Sequence, residues 1–257
     1  MIRPMSTTRV LAAAVLAVCL SCPARAQDVP PAPAAEPGPE PSYAYAQTWK
    51  LTFGLYRTRS DWSGDLNLRG SSGDFNFWVG GYAAGGGDGV ARIGGEWAYK
   101  SKTVRFTPTL AVATNGLVSG QLYAEVGRSI YLIAGASRTN LRDYYNLTFD
   151  PNESLQLGAG LRLDRRTVLN VYSIFDVRLH TGQQNTHLVF RHYLSREHRL
   201  TADIVYKSGH THEDKFVRGL GVTVTWDWAR FFVRAAYDPY ANFTADTMWR
   251  LGAGIRF

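Results

Sequence analysis

Cysteine is nearly absent from this chain. Of its 257 residues only Cys19 and Cys22 carry a thiol, and both fall in the first 26. Those residues read as a secretory signal. Arg3 and Arg9 precede an apolar run over residues 10–20, and Ala24-Arg25-Ala26 gives a small-x-small cleavage pattern, with the cut placed before Gln27. The exported chain is then expected to lack thiols, which excludes a disulfide framework, a cysteine nucleophile and a thiolate metal site. Lipidation at Cys22 is the rival reading, and Cys19-Leu20-Ser21 suits it poorly.

Long apolar runs are missing as well. Beyond residue 26 nothing approaches the roughly 20 residues that a helix needs to cross a bilayer, so helical spans are excluded. There is no G-x-S-x-G, and no serine has a His or acid in the expected local setting, so no catalytic residue is assigned and an enzyme is the less favoured reading. Gly80-Gly81 and glycines 85–87 are followed by no Lys-Ser or Lys-Thr, which argues against a phosphate cradle. Strong net charge is absent too. The formal +7 falls to +4 once the three signal arginines are removed, leaving 25 basic and 21 acidic residues, so nucleic acid is not an expected partner.

What remains is alternation. Over residues 246–257, Trp249, Leu251, Ala253, Ile255 and Phe257 share one face of an extended strand; Met248, Arg250, Gly252, Gly254 and Arg256 share the other. The same texture repeats over 44–57, 65–70, 74–84, 90–100, 103–114, 117–127, 129–138, 154–164, 166–179, 186–193, 199–207, 216–226 and 229–237. That makes fourteen strands, or twelve if the stretch 65–70 and a neighbour are not strands. Short and long connections alternate, as in barrels with short periplasmic turns and longer outside loops. The fold expected is all-β: one transmembrane, antiparallel, up-and-down barrel over 43–257. Residues 27–42, six of them proline, form a Pro/Ala-rich periplasmic tether.

The export signal, the alternating strands and the terminal L-G-A-G-I-R-F resemble small bacterial outer-membrane β-barrels, and within that class the layout is most similar to the YaiO-type barrels. The resemblance implies an outer-membrane location and contact with its lipid. It also implies that Phe257 is an assembly signal read by the barrel-assembly machinery through the C-terminal strand. It carries over no functional residues, and a monomer is the expected state.

The faces opposite the apolar ones hold the only candidate chemistry. They carry Arg92, Arg162, Arg178, Arg191, Arg199, Arg234 and Arg250, with Glu96, Glu125, Asp176 and Asp203 as the acids. An isolated charge inside a barrel is costly unless hydrated or paired. These residues therefore either line a small pore for polar or anionic solutes or form a ladder that fills a non-conducting accessory barrel for envelope or exopolysaccharide export. A lipid-modifying enzyme at the outer rim is a further alternative. His210 and His212 have an H-x-H spacing that could hold zinc or copper, but a solvated loop explains them as well. No metal site and no cofactor are assigned. Trp49, Tyr99, Trp226, Trp228 and Phe257 are expected in a periplasmic aromatic girdle, with Tyr56, Trp62, Tyr206 and Tyr237 in the outer one.

Overall fold

The computed structural model describes residues 48–59, 61–84, 89–140, 153–177, 181–211 and 213–257. The signal, the tether, Arg178 and His212 lie outside the described residues. Fourteen strands follow one another: β1 Trp49–Arg57, β2 Trp62–Ser72, β3 Phe75–Ala84, β4 Gly89–Trp97, β5 Val104–Ala113, β6 Leu117–Gly127 and β7 Ile130–Thr139. Then come β8 Ser154–Arg162, β9 Thr167–Asp176, β10 Gln184–Tyr193, β11 His198–His210, β12 Phe216–Trp228, β13 Phe231–Asp238 and β14 Met248–Arg256. Each pairs antiparallel with its neighbours, and β14 closes on β1 from Lys50↔Arg256 to Arg57↔Trp249. No sheet edge is left open, which is the condition for strands in lipid.

A two-residue continuation of β4, Tyr99–Lys100, keeps the register that β4 holds against β5. The gap at Trp97 and Ala98 faces Thr107 and Pro108. Proline has no N–H to give, so the ladder skips there and resumes. The stretch expected as a short strand over 65–70 is the eleven-residue β2, paired along its length with β1 and β3. The twelve-strand alternative is thereby removed.

Followed from strand to strand, the registers climb steadily. One circuit of the ladder re-enters β1 fourteen residues from where it left. With strands about 4.8 Å apart and a rise of about 3.3 Å per residue, that shift tilts the strands by about 35° and sets a backbone radius of about 13 Å.

Alternation then sorts the side chains. Leu51, Phe53, Leu110, Leu132, Leu157, Leu220 and Leu251 point out into lipid, where an apolar side chain needs no other cover. Trp49, Tyr99, Trp226, Trp228 and Phe257 ring the periplasmic end, and Trp62 and Tyr206 are exposed near the outer one. Tyr237 leans on Trp249 there. Tyr56 departs from the expected girdle: it shares parity with Lys50, not with Trp49, and is buried inside against Tyr82.

Candidate functional site

The inner face is polar and crowded. Rings of Trp78 and Tyr131 lie over glycines on adjacent strands. A Cβ at Gly94 would stand 2.4 Å from Trp78, and one at Gly160 would stand 2.1 Å from Tyr131. Mid-strand glycine, which usually weakens a strand, here makes room for packed rings.

Carboxylates on the inner face are paired. Arg92 Nη2 donates to Asp65 at 2.5 Å, and Arg69 Nη2 donates to Glu96 at 2.7 Å, which also accepts from Asn76. Arg162 donates to Glu125 and to the Arg128 carbonyl, with its guanidinium over the Tyr131 ring. Asp227, fully buried, accepts from Arg199 Nε at 2.9 Å and Arg256 Nη2 at 2.5 Å. Lys207 donates to Asp238 and to the Tyr240 carbonyl. His187 is hydrogen-bonded to Asp203 and stacks on Tyr172. Asp176 accepts from the backbone and hydroxyl of Thr181. Arg191 is buried, and Arg234 and Arg250 are half-buried on the same face.

Every described residue singled out from the sequence for the interior thus faces inward. Alternation could not show their pairing; it puts Arg256 on the polar face of the last strand without counting it among the interior charges, and Asp65, Arg69, Lys207, Asp227 and Asp238 join that set only in the structure. Asp227 falls just past the span 216–226 that alternation marks; the strand runs to Trp228 and carries the carboxylate inward. His210 hydrogen-bonds the Thr181 carbonyl, and among the described residues no group of three metal-ligating side chains gathers. Among the described residues the one His–Asp pair on the inner face, His187 with Asp203, lies in the barrel interior, not at a lipid-facing rim.

The charges are not spread evenly. At the periplasmic end, within two residues of a strand terminus when β4 is taken through its continuation to Lys100, stand Lys50, Arg105, Arg162, Arg191, Arg199 and Arg256, against Glu125 and Asp227. Lys100 extends that face at the exposed rim. Mid-barrel, Arg69 and Arg234 match Glu96 and Asp203. At the outer end Arg92, Lys207 and Arg250 match Asp65, Asp176 and Asp238, and Glu153 adds a carboxylate beside Thr139. The cation excess therefore belongs to the periplasmic end.

The outer end is instead narrowed by chain. Residues 239–247, between β13 and β14, turn inward over Gly219, whose missing side chain admits Pro239 and Tyr240. Phe243 is 2% exposed, the Lys207 ammonium lies 5.5 Å from its ring centroid, and Ala241 packs with Tyr56, Tyr82 and Met248. Tyr240, Asn242 and Phe243 all hold positive φ, a conformation that side chains with a Cβ adopt at a cost.

These features define a closed transmembrane β-barrel of the outer-membrane class. Comparison with solved structures finds the same fold in the outer membrane protein Omp33 of Acinetobacter baumannii. The TM-score is 0.53 at 9% identity, covering 82% of this chain and 98% of that one. The NanC porin matches with a TM-score of 0.48 at 7% identity, covering 81% of this chain and 100% of that one. The KdgM porin matches with a TM-score of 0.46 at 8% identity, covering 81% of this chain and 99% of that one. No protein-family model matches the chain, and no curated protein matches it.

Proposed function

We propose that the barrel is a narrow, hydrated passage through the outer membrane that favours anionic solutes. The observation that supports this is the interior charge inventory: the described residues named above come to twelve cations and eight carboxylates, with Lys100 and Glu153 at the rims included. Trp78 Nε1, Arg105 Nε and the hydroxyls of Thr107, Thr201 and Thr225 face inward with no hydrogen-bond partner among the described residues. Buried polar groups are rarely left unpaired, and water is the partner the interior leaves for them. Arginine-rich constrictions favour anions, and the low-dielectric wall focuses their field. The test is a planar-bilayer recording of purified protein in a potassium chloride gradient. The expected reversal potential has the sign of chloride preference and declines toward molar salt, where the screening length shrinks to about 3 Å. Cation preference would overturn the reading.

The inward-turned residues 239–247 support a second reading, the non-conducting accessory barrel for envelope or exopolysaccharide export. Absent conductance from folded protein would favour it. Kinship with the YaiO-type barrels belongs to the proposal and names no solute. Recognition of Phe257 by the assembly machinery is likewise proposed. Deleting Phe257 removes one exposed ring, worth roughly 1.5–3 kcal/mol. Yet folded protein in the outer membrane is expected to fall sharply, and unchanged levels would contradict the role.

A further inference from the structure

We propose that the acidic segment over residues 27–47 docks into the periplasmic mouth of its own barrel. The idea goes beyond the passage reading and does not need conduction. The occupant is set by charge and by attachment. Residues 27–47 contain Asp28, Glu36 and Glu40 and no Lys, Arg or His. The segment joins the barrel at Thr48 and Trp49, beside the β14 terminus, which is the end holding the excess of interior cations.

That whole face is basic. Its six turns between strands hold Lys102, Arg128, Arg165, Arg166, Arg196 and Arg230 against Asp74, Asp164 and Glu197. Among the described residues the outer end offers no such target, because its interior cations are matched and Glu153 adds a further carboxylate. Lys50 and Arg105, half-buried at the edge of the mouth, are in reach of an incoming carboxylate; the more deeply set arginines act through their field. Reach is ample: about 20 residues at roughly 3.1 Å each span far more than the mouth radius of about 13 Å. Attachment keeps the acidic groups at an effective concentration in the mM range, so a modest intrinsic affinity suffices for occupancy.

The test uses the full exported chain, free of cysteine once residues 1–26 are removed, with Ala35→Cys as a reporter. Modification of that thiol by a neutral maleimide is timed on folded protein in liposomes. At 50 mM salt it should run about tenfold slower than at 1 M, since occupancy is electrostatic and screened. The protection should disappear in K50Q/R105Q and also in D28N/E36Q/E40Q. Equal rates at both salts would overturn the proposal, as would protection that survives neutralisation of the three acids, which would mean that another contact or another occupant covers the segment. A bilayer recording on the same sample separates the two claims. Protection without conductance keeps the docking and removes the passage; conductance without protection does the reverse.

Discussion

The two mouths of this barrel confine charge in opposite ways. At the outer mouth each cation has a carboxylate to match, and the chain folds residues 239–247 inward over them, placing Phe243 against Lys207. At the periplasmic mouth no loop among the described residues turns in, interior cations outnumber carboxylates six to two, and Asp227 serves two arginines at once. A narrowed, balanced end tolerates burial because cations lie beside carboxylates, as where Arg92 meets Asp65 and Lys207 meets Asp238. An unbalanced end holds its like charges apart around the wall and depends on water and on its few acids. The lesson is that the inward side chains alone do not describe the passage; their distribution along the axis does.

The largest expected effect breaks the economical end. Asp227→Ala leaves Arg199 and Arg256 without the carboxylate they share, and removing one partner of a buried pair typically costs about 3–5 kcal/mol. Urea unfolding from liposomes, followed by loss of the gel shift between unboiled and boiled protein, should show that loss. A change under about 1 kcal/mol would mean that the cluster is solvated and the mouth more open than described.

Next is the narrowed end. Phe243→Ala removes a buried ring at a cost of about 3 kcal/mol or less, since a loop relaxes more readily than a strand. It should raise single-channel conductance without changing ion preference. Unchanged conductance would place the narrowest point elsewhere. The smallest effect sits outside the membrane, in the β8–β9 turn. There Asp164 accepts from the Arg166 and Thr167 backbones at 2.6 and 2.8 Å and from the Thr167 hydroxyl at 3.1 Å. The Arg166 N–H, foremost, holds this carboxyl below its ordinary range. A depressed carboxyl contributes stability above its unfolded pKa and loses it as the pH falls through the folded value. Asp164→Ala should therefore cost about 0.5–1 kcal/mol near neutrality and nothing in strong acid, by the same unfolding measurement. An equal cost at both pH values would assign the effect to the turn backbone instead.

Much of this architecture was legible in the sequence, and the reason is period. A strand with one lipid face and one interior face must alternate, so Leu251 and Arg250 declare their sides from spacing alone. The boundaries were less legible. Asp227 and Tyr56 were both misjudged near strand ends, where one residue decides between interior and rim. Pairing was not legible at all, because Arg92 meets Asp65 and Arg199 meets Asp227 across registers that only the closed ladder sets. Nor could spacing show residues 239–247 turning inward, since nothing in that segment alternates. Gly219, mid-strand in β12, is where Pro239 and Tyr240 come close.

The claim that ion preference is set at the periplasmic mouth is tested most directly by reversal potentials measured side by side on two double variants. R105Q/R191Q removes two cations from the unbalanced end; D65N/R92Q removes one balanced pair from the other. The account predicts that the first variant moves distinctly toward zero in a salt gradient while the second stays with the unaltered protein. A shift in the second variant with none in the first would contradict it.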